Sequence, residues 1–490
     1  MRNSEDMSPH LLRRTRVVLS LLLLSFFFLP ALAEAASKAA DEKPAIPSDL
    51  FFAPKSIPNE DNAIYLWRRA AKVMVKANDT ISDKIAYAWK PESPAANEED
   101  AAAICHWLKQ NQEALELMEL SLKKPAAKWL ATRGVEEQPE LFVMNYLVKA
   151  RNLSADFLAT QGKWEEAASL LKGNLRLAQI AIESEAALIH YLVGTASRTL
   201  TQRAILRLAN RGNIPIATLR QLLEMLPPLN SETNAYANLM RVEFTVYAYP
   251  TTDMKWFAQA WAKPEARELV SLTYDEEFQR PFMILTDPGL VALHPKPYDE
   301  RAGLERASAT YRRYRTNVFS HWANRVEADE DAIAKVQTGL LEEIEPLMET
   351  LAEDALPLNQ KGIAKAKKIY LSLTDPIGRI LQCRNNLLSV DDSRVFKNRT
   401  EREAVRAIIA AIIFERQKEQ LPVSLNDIRE EKILTDIPWD FFANAPLKYS
   451  KEQRMVWSIG EDAEDDEGDG SPEAPWRDFD AVWKIPNRIK

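Results

Sequence analysis

Cysteine, histidine and glycine are all scarce in this chain. Two Cys, five His and thirteen Gly are spread over 490 residues. His10 falls in an N-terminal leader, which leaves His106, His190, His294 and His321 for imidazole chemistry. Cys105 and His106 are adjacent, so on a helix they point in different directions and chelate one ion poorly. No H-E-x-x-H pair, G-x-S-x-G elbow or Gly-rich phosphate loop is present. The low Gly count disfavours an α/β enzyme built on Gly-rich ligand loops and favours helices. Cys105 and Cys383 are compatible with a disulfide in an oxidising compartment. They are equally compatible with two buried thiols, since both sit in apolar helical surroundings.

Excess positive charge is also missing. The chain carries 63 Lys and Arg against 71 Asp and Glu, a net charge of −8. That acidity argues against nucleic acid and anionic membrane surfaces as partners. One apolar run stands out, Val17–Leu29, behind the basic Arg13, Arg14 and Arg16. It is too short for a comfortable membrane span. Pro30 breaks it, and Ala31-Leu32-Ala33 fits the small-x-small cleavage pattern of a signal peptide. The expected cut follows Ala33, with Ala35 as the alternative and an uncleaved anchor as the other reading. The Arg13-Arg14 pair occurs in twin-arginine leaders and in ordinary ones alike. No Cys lies near the cut, which disfavours a lipoprotein. Cleavage predicts a periplasmic or secreted protein without a membrane span.

Beyond the signal peptide (1–33), a flexible lead-in covers 34–58, rich in Ala, Pro, Lys and Asp. Helical periodicity begins near Glu60 and runs to about Arg416. The clearest pair lies at 139–184. Leu147, Ala150, Ser154 and Leu158 share one face, Gln161-Gly162-Lys163 turns the chain, and Ala167, Leu171, Ala178 and Ile182 continue the stripe. Gly162-Lys163-Trp164-Glu165-Glu166-Ala167 resembles the turn of a tetratricopeptide-type hairpin. No second clean copy follows, so an irregular hairpin array is expected over 59–228. A third helix is expected at about 185–210, and the next stops before Pro227-Pro228. A second helical region spans 229–399. It is aromatic and Pro-broken up to 300, with helices expected at about 300–337, 339–352 and 360–372. Thr400 and Glu403 fit a capping box that opens a further helix, apolar almost all round from Ala407 to Phe414. Three short apolar runs, Pro446–Ser450, Met455–Ile459 and Ala481–Ile485, predict a small antiparallel meander. The fold class is therefore mainly α, with a small α+β module at 400–490.

The last segment carries a resemblance. Asp436-Ile437-Pro438-Trp439-Asp440, Pro446-Leu447-Lys448-Tyr449, Trp457-Ser458-Ile459-Gly460-Glu461-Asp462 and Asp478-Phe479-Asp480-Ala481-Val482-Trp483 recur in the order seen in the major pseudopilin of type II secretion systems. The prepilin signature at the N-terminus is missing, which argues against a filament subunit. Phe441–Ala445 is longer than the family's Gly turn, and Ser471–Arg477 resembles an insertion. The remainder, with Asp375-Pro376-Ile377-Gly378-Arg379, is similar to a broad family of exported bacterial proteins that join a helical region to such an end.

The acidic stretch Glu461–Gly470 offers hard oxygen ligands of the kind calcium takes, and Gly468 and Gly470 permit a tight loop. A solvated acidic loop is the other reading. The resemblance implies a calcium site with Asp462 as ligand, joined by the Ile459 carbonyl. The later ligands are left open by the insertion: Asp469, Asp478 and Asp480 come first, Asp465 and Asp466 next. Calcium there would be structural, a staple for the meander.

The other constellations read as packing. His190 lies among apolar helical residues near Glu183, Arg198 and Arg203. Trp67, Trp89, Trp107, Trp129 and Trp164 recur along the N-terminal helices, as core or as a binding groove. Tyr311-Arg312-Arg313-Tyr314-Arg315 reads as a helix face with snorkelling Arg. The expected function is a non-catalytic binding or scaffold protein of the cell envelope. Its partner would be an envelope protein or peptide, linked to secretion by analogy. The alternative is an envelope-polymer hydrolase using carboxylates of the helical region.

Overall fold

The computed structural model describes residues 45–53, 57–75, 98–128, 139–184, 186, 188–227, 233–245, 276–317, 322–382, 387–470, 476 and 479–487. The leader, Cys383, Trp89, Trp129, His321 and Asp478 lie outside the described residues. Sixteen helices and a small antiparallel sheet appear among them, as the mainly-α reading expects. No helix in them is long and apolar enough to cross a membrane.

Helix α1 (Ala63–Val73) is capped by Asn62, whose side chain accepts the Ile64 N–H at 3.2 Å. It buries Ala63, Ile64, Trp67 and Ala70, one helical stripe, against the N-terminal core. Helices α2 (Glu98–Gln110) and α3 (Gln112–Ser121) complete that entry. The Trp67 indole N–H donates to Ser121 Oγ at 2.8 Å, and Trp107 is buried in the same cluster. These tryptophans are core residues.

The expected hairpin forms as α4 (Pro139–Thr160) and α5 (Trp164–Ile182). Gly162 has φ +75° at the turn between them, the left-handed conformation that ends helices cheaply only in glycine. Helix α6 (Leu188–Ala209) packs on both. At Gly194 an added Cβ would come within 2.9–3.0 Å of Ile182 and Ala178, so the glycine permits close approach. The three helices enclose a polar network. Arg151 Nε donates to Asn174 Oδ1 at 2.7 Å, and Asn174 Nδ2 donates to Asn152 Oδ1 at 2.9 Å. Helix α7 (Ile216–Glu224) follows Pro215 and ends before Pro227.

Helices α8 (Thr233–Glu243), α9 (Glu276–Leu285), α10 (Pro288–Val291), α11 (Glu300–Asn317), α12 (Trp322–Thr350), α13 (Gln360–Ser372) and α14 (Pro376–Gln382) build the middle region, and α9, α10 and α12 to α14 share one core. The expected break between 337 and 339 does not occur. Helix α12 runs through Gly339, and the periodic apolar residues Leu340, Ile344, Leu347 and Leu351 hold it in the core. Tertiary burial outweighs the roughly 1 kcal/mol that a helical glycine costs.

Helix α15 (Leu387–Lys418) begins well before Thr400. Thr400 is therefore not a cap. It is fully buried, and its hydroxyl accepts the Phe441 N–H at 3.2 Å. Glu403 pairs with Arg406 rather than reaching back to a helix start. Buried Val395 and Phe396 carry the helix through the preceding turns. Helix α16 (Leu425–Glu430) starts with a capping box of Ser424 and Asp427.

Strands β1 (Trp439–Asp440) and β2 (Ala445–Pro446) form a two-stranded ribbon that sequence reading did not anticipate. Strands β3 (Lys448–Ser450), β4 (Met455–Ser458) and β5 (Ala481–Lys484) form the expected meander, order β3-β4-β5, with Trp457 opposite Lys448 and Val482. One hydrophobic cluster joins Ala167, Leu171, Ile205 and Leu208 of the hairpin region to Ile408, Ile409 and Ile413 of α15 and Val456 of β4. The C-terminal module therefore shares its core with α5 to α7.

Candidate functional site

The acidic loop leaves β4 through Ser458 and Gly460. Gly460 has φ +76°, and a Cβ there would sit 3.0 Å from the Trp476 carbonyl oxygen. The backbone needs glycine for both reasons. The Glu461 N–H donates to that same carbonyl at 2.6 Å, and the Glu461 carboxylate pairs with Lys397 of α15 at 2.9 Å. The start of the loop is thus tied to the helix behind it.

Beneath the loop lies Asp440, fully buried. Its Oδ1 accepts the Ser458 hydroxyl and the Phe442 N–H, both at 2.9 Å, and its Oδ2 accepts the Ile459 N–H at 3.1 Å. Burial pushes this carboxyl above its ordinary value, against the pull of those donors. It is the residue that locks the ribbon to β4. Nothing in the local sequence around Asp440 points to this role.

The expected ligands are dispersed. Asp462 is exposed, and its Oδ1 accepts the Glu464 N–H at 3.2 Å. Desolvation raises its carboxyl, helped by the charges of Asp466 and Glu464. Asp465 is engaged elsewhere: Lys448 Nζ lies 2.9 Å from Oδ2, and the Trp457 indole N–H donates to Oδ1 at 3.1 Å. Against a desolvation that opposes them, these partners hold Asp465 below the ordinary carboxylate value. Asp466 and Asp469 are exposed and form a backbone turn, the Asp469 N–H donating to the Asp466 carbonyl at 3.0 Å. The Ile459 N–H is committed to Asp440.

Asp480 differs from the others. It is fully buried at the start of β5, and its Oδ2 accepts the Gly468 N–H at 2.7 Å. Its Oδ1 has no hydrogen-bond partner. Burial first, then the neighbouring Asp465 and Asp466 charges, push its carboxyl up to about 6. Buried carboxylate oxygens ordinarily have a donor or a cation beside them. The loop thus offers an orphaned buried oxygen of the hard-donor type. Among the described residues, no three His, Cys, Asp or Glu side chains converge as a metal cluster.

Several carboxylates deep in the helical region are paired with arginine, while buried Asp287 accepts backbone N–H groups instead. Glu401 meets Arg203 at 2.6 Å, Asp156 meets Arg207 at 2.7 Å, and Asp375 meets Arg306 at 2.5 Å. Glu403 and Asp436 both contact the buried Arg406, at 2.6 Å each. Burial raises Glu403, while the Arg406 guanidinium holds Asp436 low. His190 is buried in α6, and Arg312 pairs with Asp49 at 2.9 Å. No family description, curated protein or solved structure matches the chain.

Proposed function

We propose that the chain is an exported, non-catalytic binding or scaffold protein of the cell envelope, with a C-terminal meander stapled by calcium at its acidic loop. The observation that supports this reading is Asp480, a fully buried carboxylate with one oxygen unpartnered beside an acidic loop. Asp480 would hold the cation, with Asp462, Asp466 and Asp469 as the carboxylates free to swing toward it and Asp478 and the Ile459 carbonyl as further ligands. Asp465, tied to Lys448 and Trp457, is the weakest of the expected set. Calcium would supply charge neutralisation only, so the chain's own role is to clamp β5 against the loop. The arginine pairing of the carboxylates named above supports a non-catalytic helical region, because each is held as a structural ion pair. Its partner would be an envelope protein or peptide.

The test is calorimetric titration of calcium into the protein, with thermal melts in parallel. Binding heat with a rise in Tm, both abolished by Asp480→Asn, is the expected result. No heat and no Tm change would remove the calcium reading.

A further inference from the structure

Residues 46–52 of the lead-in are seated on helices α8 and α11. The seat has an apolar floor. Phe244, just past the end of α8, and Leu304 of α11 are buried there with Leu50, and Ile46, Ala307 and Tyr311 pack around them. The Phe244 and Tyr311 rings meet edge to face at 5.4 Å. Leu50 is fully buried, whereas the next residue, Phe51, is 52 % exposed.

Polar contacts fix the path of the segment. Arg312 donates to the Asp49 carboxylate through both Nε and Nη2, each at 2.9 Å, a forked fit that selects a carboxylate at this position. Arg241 Nε donates to the Asp49 carbonyl at 3.1 Å. The Thr245 hydroxyl donates to the Leu50 carbonyl at 3.2 Å and accepts the Phe52 N–H at 3.0 Å. The Leu50 and Phe51 N–H groups both donate to the Pro47 carbonyl at 2.9 Å, which bends the segment into a turn over the seat. The helices therefore read one carboxylate, one leucine and the backbone around them. Short peptides are recognised by this combination, with main-chain bonds for hold and a side-chain pocket for selection.

The hold is also small and local. Among residues 45–53, Leu50 alone is fully buried. The Asp49–Arg312 pair lies at the surface, where salt screens it. The three large apolar clusters of the fold take no residue from this segment. Its release uncovers the seat and leaves those cores intact.

We infer that the α8–α11 seat is a peptide-binding site whose ligand is an envelope-protein segment carrying an acidic residue followed by leucine, and that residues 46–52 occupy it in cis as an autoinhibitory arm. This rests on the binding-protein reading above and names the chemistry of its partner. The tethered arm competes at high local concentration, so a free peptide enters only where the arm is displaced.

The test uses the full chain in chelator, which keeps it independent of the calcium titration. The substitutions Asp49→Ala and Leu50→Ser together release the arm. The probe is a fluorescent synthetic peptide of sequence 45–53, followed by anisotropy. The released variant is expected to bind the probe at least about tenfold more tightly than the parent chain does. A probe carrying Leu50→Ser is expected to bind that variant at least about tenfold more weakly. Arg312→Gln added to the variant should weaken the unaltered probe as well. In the parent chain, native-state hydrogen exchange of amides 50–52 is expected to be at least about tenfold faster than that of 304–308. A variant that melts cooperatively yet binds no probe would overturn the inference, as would equal binding by the parent. So would parent amides 50–52 that exchange only with global unfolding, since the arm would then be a fixed part of the fold. A parent dimer that the variant loses would give the seat to the arm of a second copy and overturn the partner.

Discussion

The Ser458 hydroxyl donates to the Asp440 carboxylate at 2.9 Å, across eighteen residues of sequence and inside the protein. This bond joins the β1–β2 ribbon to the strand that launches the acidic loop. The same carboxylate takes the N–H groups of Phe442 and Ile459. Three donors converge on one side chain, two of them from the backbone.

Removal of Asp440 would strand those donors in an interior without water. Asp440→Ala is expected to cost about 2–4 kcal/mol, since each buried unsatisfied group costs about 1–3 kcal/mol with partial relaxation. Asp440→Asn keeps the shape but turns an amide N–H toward a donor, so it recovers only part of the loss. Urea denaturation of the two variants checks both the size and the order of the effects.

Arg406 makes a second buried junction, between α15 and the segment ahead of β1. It is fully buried and contacts Glu403 and Asp436. Arg406→Met leaves Glu403 charged in the interior and is expected to cost about 3–5 kcal/mol. Glu403→Gln in the same chain should restore a substantial part, because the uncompensated charge is gone. A double-mutant cycle in urea measures that coupling, and strict additivity would refute the pairing as the source of the cost.

The continuity of the core gives a prediction about domain structure. Helix α15 buries Ile408, Ile409 and Ile413 in the cluster that contains Ala167, Leu171, Ile205 and Leu208. A fragment of residues 387–490 would expose that stripe. It is expected to lack a cooperative thermal transition by circular dichroism and to bind a hydrophobic dye, while the full chain melts cooperatively.

The hairpin and the meander were legible because each is a local pattern. The stripe from Leu147 to Ile182 repeats at helical spacing with Gly162 at its turn, and three short apolar runs bounded by turns make β3 to β5. Thr400 and Glu403 misled because a Thr-x-x-Glu spacing arises inside a helix as readily as at its start. Only the packing of Phe441 against it reveals what the Thr400 hydroxyl does. Asp440 was invisible as a bracket for the same reason: its partners Ser458 and Ile459 are distant in sequence.

Asp480 gives a pH dependence with a definite sign. Its carboxyl is pushed up to about 6 from an ordinary value of 3.8. A raised carboxyl means that the folded chain holds a proton the unfolded chain releases. The contribution is complete below about pH 4 and is lost as pH rises through about 6. At about 1.4 kcal/mol per unit, the loss is about 2–3 kcal/mol. In chelator-treated protein, the Asp480 contribution therefore makes the fold more stable at pH 4.5 than at pH 7. Asp480→Asn should reduce that difference, leaving the parts due to Asp440, Glu403, Asp156 and Asp462, which are shifted the same way. Calcium should act oppositely, stabilising the parent chain more at pH 7 than at pH 4.5, because the ionised carboxylate is the form that takes a cation. Urea midpoints at the two pH values, with chelator and with calcium, separate these effects. An Asp480→Asn variant that keeps the parent's full pH dependence would show that the buried oxygen is not its source.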